Sequence, residues 1–375
     1  MTRLIEVLIS LAIVAVLFLA VSMVLPSSRH LSEKVETNRR MTIVYDTLNS
    51  LRRFKDWNPL VLHDPRMQLK ISGPDAGVGA RLDYTSEVPA LGNGSWEITA
   101  TDPGKSVTYA ITNPQRGHEK RSEFRFKPTG RGTVKRNVEI TQTYDVSYGW
   151  DLLGRYAGLY VSRHVGDDIK FGLERLSNML ATVPNVDYKV AGSKLAGLKV
   201  IDRPAEHLLV VSAGSIERNN DIIKASMKSN MEWIKRTMEA SGLVATGPMR
   251  IISTELGREN YTFDVAQPVR RADAAAATDA AAATDAAAAA AASDAPLIGL
   301  KLQGPVQYAQ AKAGRAATAS YIGYMAELEN VRNAVRAWAL TNGYEVTDRP
   351  YEAYKNGIDE AFTENGQYDV YWTLK

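Results

Sequence analysis

The first 25 residues contain one long apolar run. Leu4 to Leu25, LIEVLISLAIVAVLFLAVSMVL, holds a single ionisable side chain, Glu6, and Pro26-Ser27-Ser28 ends the run. At about 1.5 Å per residue this segment forms a helix ~33 Å long, and the hydrocarbon core of a bilayer is ~30 Å thick. The pattern predicts a helix that crosses a membrane once, with residues 1–28 as the anchor.

A cleaved signal peptide is the alternative interpretation of this segment. The apolar region of a signal peptide has ~7–15 residues and follows a basic start, whereas this run is longer and only Arg3 precedes it. A weak cleavage pattern, Ala20-Val21-Ser22, lies inside the apolar run. We therefore expect a single-pass protein of a cell membrane, the inner membrane in a bacterium. Basic residues between 29 and 40 favour a cytoplasmic domain, but large domains are translocated despite such charges, so the side stays open.

Residues 29–183 follow the pattern of one α+β domain. A strand is predicted at 29–37, a helix at 40–54, and a long amphipathic helix from about Leu159 to Leu180. Between the helices, apolar runs of strand length alternate with turns rich in glycine and proline. The six predicted strands are 67–71, 80–84, 95–100, 106–112, 120–126 and 133–143. A curved antiparallel sheet wrapped around the long helix would enclose a cavity, and a filled α+β core is the alternative.

The remainder of the chain reads as a linker and a second domain. Residues 184–194 are the predicted linker, and 195–375 contain two similar stretches of strand, helix, strand and strand. The first strand of each stretch is predicted at 197–212 and at 306–320. The two helices align through Met231–Ile234 and Val335–Trp338, which indicates an internal duplication. An alanine-rich insert, 272–295, separates the two halves and reads as a solvated linker because it has no apolar face.

Composition excludes several classes of chemistry. The chain has 375 residues, a net charge of only +3, no cysteine, and five histidines without metal-ligand spacing. Disulfides, zinc ribbons, iron–sulfur clusters and thiol nucleophiles are therefore excluded, and a metal site is not expected. The charge gives no reason to expect nucleic acid, and no phosphate-binding or dinucleotide loop is in register. We predict no catalytic residue, no cofactor and no metal.

Aromatic residues supply the candidate ligand sites. Residues 298–375 hold 11 of the 30 aromatic side chains, and Glu352 and Asp369 lie among them on predicted strands. A carboxylate beside ring faces attracts a cation with ~0.5–2 kcal/mol of cation–π energy. In the first domain, aromatic residues on and before the strands would line a cavity. The candidate ligand-binding residues are Asp369, Glu352, Tyr354, Tyr368, Tyr371, Tyr321, Trp338, Trp57 and Trp96. The alternative is that the carboxylates face solvent and the rings fill the cores.

Residues 29–182 resemble the START-like superfamily that is often labelled SRPBCC and includes polyketide cyclases/dehydrases and lipid-transport proteins. The resemblance rests on Trp57-Asn58-Pro59, Ser72-Gly73-Pro74, Gly77-Val78-Gly79-Ala80, Gly94-Ser95-Trp96-Glu97-Ile98 and the closing helix. It implies a helix-grip fold with a deep hydrophobic pocket. It does not imply one particular enzyme activity.

Residues 195–375 resemble the GyrI-like effector-binding domain. The resemblance rests on the duplicated plan, on Arg349–Tyr354 and on the ending Tyr368-Asp369-Val370-Tyr371-Trp372. In that family the last strand usually carries a glutamate where Asp369 stands. This glutamate binds cationic drug-like ligands in some members and supports hydrolysis in others. No helix-turn-helix precedes the domain, so DNA binding is not implied.

Together these patterns predict a membrane-tethered sensor or carrier of hydrophobic or cationic small molecules. The expected partners are the lipid bilayer and such a molecule, and neither a protein partner nor an oligomeric state is indicated. Two alternatives stay open. One is an enzyme, either cyclase/dehydrase-like or a hydrolase with Asp369 or Glu352 as its general base. The other is a protein-binding scaffold whose pockets are filled by side chains.

Overall fold

The computed structural model describes residues 2–130, 137–190, 193–257, 259–272 and 295–375. These residues form two compact units, the first ending at Asn185 and the second beginning at Val186. The predicted insert at 272–295 lies almost wholly outside the described residues. So do residues 133–136 of the last strand predicted for the first domain and residues 191–192 of the predicted linker.

The chain begins with helix α1, Thr2–Val24. Within the described residues, the stretch Arg3–Val24 is the one helix long and apolar enough to cross a membrane, with a mean hydropathy of 3.0. Its side chains are exposed along most of its length, as Leu11 and Val14 show. The prediction of a membrane-compatible helix is confirmed in length and composition, criteria that a signal sequence also meets.

The first unit contains a seven-stranded antiparallel sheet in the order β1-β7-β6-β5-β4-β3-β2. After β1, every strand pairs with the next one along the chain, and β7 pairs back with β1, so the predicted meander is confirmed. Gly73 allows the turn after β2, because its φ is +77° and a Cβ there would lie 2.3 Å from the Gly79 carbonyl oxygen. The strands are β1 (Ser28–Thr37), β2 (Gln68–Ser72), β3 (Arg81–Thr85), β4 (Asn93–Asp102), β5 (Ser106–Thr112), β6 (His118–Thr129) and β7 (Asn137–Ser147).

The helix predicted at 40–54 is instead two helices. Helix α2 ends at Leu48, and α3 begins at Phe54. The break follows from Ser50, whose hydroxyl donates to the Asp75 carbonyl at 3.0 Å and accepts from the Arg52 amide at 3.3 Å. The helices of this unit after α1 are α2 (Met41–Leu48), α3 (Phe54–Trp57), α4 (Leu60–His63), α5 (Leu152–Ala157) and α6 (Val161–Ala181).

The core of the first unit lies between α6 and the sheet. Leu173, Leu176 and Leu180 recur on one face of α6 and are buried. Aromatic rings from α3 and the sheet fill the interior in edge-to-face pairs. The pairs are Phe54–Trp57 and Trp57–Phe124, both at 5.5 Å between ring centroids, and Tyr109–Phe124 at 5.7 Å. The α+β class with an amphipathic closing helix is confirmed.

The second unit has one antiparallel sheet, with both long helices packed on one face. Its order is β13-β9-β12-β11-β15-β16-β14-β8, and β10 pairs with β12. The elements before the insert are β8 (Leu195–Arg203), β9 (Glu206–Glu217), α7 (Asn220–Ser241), β10 (Leu243–Ala245), β11 (Arg250–Leu256) and β12 (Asn260–Arg271). Those after it are β13 (Gln307–Ala311), β14 (Gly314–Ile322), α8 (Leu328–Thr341), β15 (Val346–Tyr354), α9 (Gly357–Glu360) and β16 (Gln367–Leu374).

Two single strands expected in the second unit are each a pair of strands. The run predicted at 197–212 turns at residues 204–205, where Pro204 has no amide hydrogen to donate to a ladder. The run predicted at 306–320 turns at residues 312–313, where Lys312-Ala313 gives no turn signal. Apart from the short strand β10 in the first half and the short helix α9 in the second, each half therefore runs strand, strand, helix, strand, strand. The first strand of each half pairs with the second strand of the other half, since β8 pairs with β14 and β13 with β9.

Candidate functional site

The first unit contains a cavity, partly open to solvent, between the sheet and the N-terminal half of α6. Its volume is about 120 Å³. The Trp57-Asn58-Pro59 segment forms one wall because α3 ends there, and α6 forms the wall opposite the sheet. The lining residues are Trp57, Asn58, Pro59, Leu60, Tyr84, Trp96, Ile111, Asn113, Gln115, Gln142, Tyr144, Val165, Asp168, Ile169 and Gly172.

The cavity is lined by four aromatic side chains, Trp57, Tyr84, Trp96 and Tyr144, together with aliphatic and polar residues. Trp57 is 2% exposed, and the Trp96 ring packs edge-to-face on Phe54 at 5.2 Å, so the structure brings together the two tryptophans predicted for this domain. Burial raises the pKa of Tyr84 and of Tyr144, which keeps both hydroxyls neutral at physiological pH. Among the lining residues that the structure describes, Asp168 carries the one formal charge, and it lies half-exposed beside His63 at 3.2 Å.

Two buried polar atoms of the cavity wall have no hydrogen-bond partner within the described part of the chain. They are the indole Nε1 of Trp57 and the side-chain Oε1 of Gln142. The Gln142 amide nitrogen donates to the Ser122 hydroxyl at 3.1 Å, and that hydroxyl donates to the Thr143 carbonyl at 3.0 Å. An unpaired buried polar group costs ~1–3 kcal/mol, so a bound molecule gains by pairing with these atoms. One donor and one acceptor thus remain available on residues that line the cavity.

Sequence reasoning did not identify Gln142. The sequence feature that could identify it is its position in β7. Every second residue of this strand faces the interior, and the others in that series are Val138, Ile140, Tyr144 and Val146. A glutamine in that series is a polar residue at a core position, and such positions are usually apolar unless a polar partner or ligand is present.

In the second unit, Asp369 lies on the sheet face opposite the two long helices. Its Oδ1 accepts from the Ser320 hydroxyl at 2.6 Å, and its Oδ2 lies 3.4 Å from Nζ of Lys355. Tyr371 shares this face and stacks on Tyr351 at 4.7 Å, and burial raises the pKa of Tyr371 to about 12. The negative charge of Asp369 is therefore already balanced by a lysine of the same unit.

Glu352 lies on the helix side of the same sheet and is fully buried. It forms a two-point ion pair with Arg332 of α8, whose Nη2 lies 3.1 Å from Oε2 of Glu352 and donates to the Tyr261 hydroxyl at 3.1 Å. The indole nitrogen of Trp372 donates to the Arg332 carbonyl at 2.8 Å, which fixes α8 on this face. Glu352 is thus neutralised inside the core.

The predicted aromatic residues of the second unit divide between these two faces. Tyr354 and Tyr368 are buried with Glu352, their rings meeting edge-to-face at 5.0 Å, and Tyr321 stacks on Tyr368 at 6.0 Å. Tyr371 lies with Asp369 on the other face, and Trp338 is half-buried on α8, with its ring 6.3 Å from Tyr344. The predicted set therefore forms two separate groups rather than one site.

A wider groove lies between α7 and α9. Its volume is about 580 Å³, and it is lined by Tyr354, Lys355 and residues of both helices. Lys224 and Lys228 contact the Asp359 carboxylate at 2.8 and 2.7 Å, and their hydrogen bonds lower the pKa of Asp359 to about 2. Because lysines and carboxylates already pair at this groove, we assign the candidate site to the cavity of the first unit.

The Arg332–Glu352 pair predicts a large effect of removing one charge. Arg332→Met leaves Glu352 buried without a counter-charge, and the expected loss is ~3–5 kcal/mol of unfolding free energy. Hydrogen exchange of the β15 and β16 amides measures this loss. The double variant Arg332→Met, Glu352→Leu should recover most of it, because both charges leave the core together.

The matched control for this prediction is Arg218→Met. Arg218 pairs with Glu329 at 3.3 Å on the exposed surface, so its loss should cost ~1 kcal/mol or less. Equal losses in Arg332→Met and Arg218→Met would contradict the account of the buried pair.

The sequence and structure were compared with known proteins. Residues 28–180 match the family model described as polyketide cyclase / dehydrase and lipid transport. No curated protein matches the chain. The Zhui aromatase/cyclase from Streptomyces sp. R1128 is a similar solved structure, with 15% identity over 41% of this chain and 94% of that chain and a TM-score of 0.32.

Two further solved structures show similarity. Truncated norcoclaurine synthase from Thalictrum flavum has 16% identity over 41% of this chain and 93% of that chain, with a TM-score of 0.31. The C-terminal domain of EcmrR has 16% identity over 48% of this chain and 97% of that chain, with a TM-score of 0.34. The residues that match the family model, 28–180, extend from the start of β1 to near the end of α6 in the first unit.

Proposed function

We propose that this protein is a membrane-tethered sensor or carrier that takes up hydrophobic small molecules in the cavity of its first unit. The observation that carries this proposal is the aromatic cavity between α6 and the sheet, within a domain of a ligand-binding type. Two thirds of its lining residues are aromatic, aliphatic, proline or glycine, and the polar side chains among them can orient a ligand, which is typical of small-molecule sites.

The size of the cavity limits what it holds in this conformation. A volume of about 120 Å³ is close to that of an apolar cavity of ~150 Å³ that binds benzene. One aromatic ring or a short acyl segment therefore fits inside. The remainder of a larger molecule would extend through the mouth, where Asp168 and Gln115 are at least partly exposed.

The charge of the cavity favours a neutral guest. Burying an unpaired charge costs far more than burying a neutral polar group, and the interior supplies no counter-ion. The free donor of Trp57 and the free acceptor of Gln142 suit a hydroxyl or carbonyl group on the guest.

Contacts between α1 and the first unit support an anchor that is retained. Tyr156 stacks on Phe18, and Arg155 bonds to carbonyls at the end of α1. Cleavage at Ala20-Val21-Ser22 would remove the Tyr156–Phe18 contact. Tethering beside a bilayer raises the local concentration of lipophilic molecules at the cavity.

We also propose that the second unit is a GyrI-like effector-binding domain. Its two halves have the same main order of elements. The first strand of each half pairs with the second strand of the other half, which supports the duplication. A cationic ligand at Asp369 would have to displace Lys355. Both Asp369 and Glu352 are already held by cations, so binding is favoured over a general-base role for either carboxylate.

Filling the cavity should abolish uptake of a neutral lipophile. Ile169→Trp places a larger ring in the lining, and the neutral dye N-phenyl-1-naphthylamine should then lose its fluorescence enhancement on binding. Phe171→Trp is the matched control, because Phe171 is exposed on the same helix and should leave binding unchanged. At a dye concentration 100 times Kd, the original chain should gain ~2.7 kcal/mol of stability. Equal dye binding by both variants would refute the cavity as the site.

A cation bound at Asp369 should compete with Lys355. For Lys355→Met, the lipophilic cation tetraphenylphosphonium should bind about two- to fivefold more tightly, since an exposed pair is worth up to ~1 kcal/mol. In Asp369→Asn this binding should be lost. Titration calorimetry measures both affinities, and unchanged affinity in both variants would exclude Asp369 as the site for a cation.

A further inference from the structure

We propose that residues 150–160 form a docking segment that lies in the bilayer interface and seats the first unit directly on the membrane. The proposal concerns membrane contact by this segment and goes beyond ligand uptake. It rests on α1 being a retained anchor.

The docking segment is fixed against the last turns of α1. The Tyr156 ring stacks on Phe18 with centroids 4.6 Å apart and planes 12° apart, and its hydroxyl donates to the Phe18 carbonyl at 3.1 Å. Arg155 Nη1 donates to the carbonyls of Ser22 at 3.2 Å and Leu25 at 3.4 Å. Carbonyls at a helix C-terminus lack partners within the helix. A cation there is also stabilised by the partial negative charge at that end of the helix dipole. The anchor and the segment therefore form one structural element.

The position of Phe18 sets the depth of the segment. Phe18 precedes Val24 by six residues, which is about 9 Å along the helix axis at ~1.5 Å per residue. The apolar run is ~33 Å long and the hydrocarbon core ~30 Å thick, so Phe18 lies inside the boundary of the core. Tyr156, which stacks on Phe18, then reaches the boundary between headgroups and acyl chains, where interfacial segments insert ~5–10 Å.

The side chains exposed on the segment suit that depth. Trp150 is 84% exposed, Tyr160 61%, Leu153 53% and Leu159 46%. Trp and Tyr concentrate at membrane interfaces because their rings are amphipathic. The Arg155 guanidinium lies 5.7 Å from the Trp150 ring, and an arginine at this depth extends its charge toward water. Four large apolar groups left exposed together indicate a partner surface.

Continuity with α1 identifies that partner as lipid. The exposed groups of the segment adjoin a helix whose own apolar side chains, such as Leu17 and Val21, are exposed to the same surroundings. A bilayer covers both surfaces at once. A second copy of the chain would have to cover the segment and leave the adjoining helix to lipid.

The segment is also joined to the mouth of the cavity. Asp151 caps α5 by accepting from the Gly154 amide at 2.9 Å, and it pairs with Arg116 Nη1 at 3.0 Å. Gln115, next to Arg116, lines the cavity, and α6 runs directly from the segment to Val165 and Asp168 of the lining. A lipophilic molecule could therefore pass from the bilayer interface to the cavity along a short path.

The test uses the full chain in phosphatidylcholine vesicles with brominated acyl chains. Quenching of tryptophan fluorescence is compared between bromine placed near the headgroups and bromine placed near the bilayer centre. The fluorescence of Trp150 is obtained by subtracting that of the Trp150→Phe variant from that of the original chain. Because Trp150 is 84% exposed in the structure, this substitution should leave the fold intact. We expect shallow bromine to remove most of the Trp150 fluorescence, deep bromine to remove less, and aqueous iodide to have little effect.

Three results would overturn the proposal. Quenching by iodide and not by bromine would place Trp150 in water. Protection from both quenchers, lost on dilution of the protein in the membrane, would show that a second copy covers the segment. Release of the chain from the vesicles by alkaline carbonate would show that α1 is not an anchor. The dye experiment on Ile169→Trp measures cavity binding and does not depend on the quenching of Trp150. A failure of cavity binding is therefore distinguishable from a failure of docking.

Discussion

The packing of α6 against the seven-stranded sheet is the interaction on which the candidate site depends. The C-terminal half of α6 buries Leu173, Leu176 and Leu180 against the sheet. Arg39 secures that end, because its Nε donates to the Leu180 carbonyl at 2.9 Å and its Nη2 to the Ala181 carbonyl at 2.5 Å. The N-terminal half of α6 instead contributes the lining of an unfilled volume. One helix therefore closes the core at one end and the binding cavity at the other.

In the proposed function, polar atoms of the wall determine which molecules the cavity accepts. Most of the wall is aromatic or aliphatic, and such a wall binds a ligand by excluding water. Among the residues that the structure describes, no partner pairs with one buried polar atom of Trp57 and one of Gln142, which is unfavourable unless a bound molecule supplies the partner. The same α6 connects this lining to the segment beside α1, so α1, residues 150–160 and the cavity belong to one continuous part of the first unit.

Much of the first unit could be predicted from the sequence. Its strands are bounded by glycine and proline turns such as that at Gly73, and its closing helix has a clear apolar stripe. Trp57 and Trp96, which the sequence predicts to bind a ligand, both line the cavity. The break after Leu48 could not be predicted, because it depends on a bond from Ser50 to the distant Asp75 carbonyl. Gln142 was not predicted, because its sequence signal is a single polar residue in the buried series of β7.

The site residues of the second unit were harder to predict, because strand register decides their partners. Successive side chains of β16 point to opposite faces of the sheet, so Asp369 and Tyr368 lie on different faces, and the sequence alone predicts this. However, Glu352 pairs across the ladder with Val370 and reaches Arg332 on a helix, and neither contact has a sequence signal. The lysine beside Asp369 is likewise set by the fold. One expected group of residues therefore lies on two faces of the sheet.

The central claim is that the first unit keeps an apolar interior open for a guest. X-ray diffraction from crystals of the full chain under xenon pressure tests it most directly, because xenon enters dry apolar cavities and scatters anomalously. The account predicts a xenon peak bounded by Trp57, Trp96, Ile111 and Ile169. A crystal structure in which these side chains contact one another, with no xenon peak between them, would contradict the account.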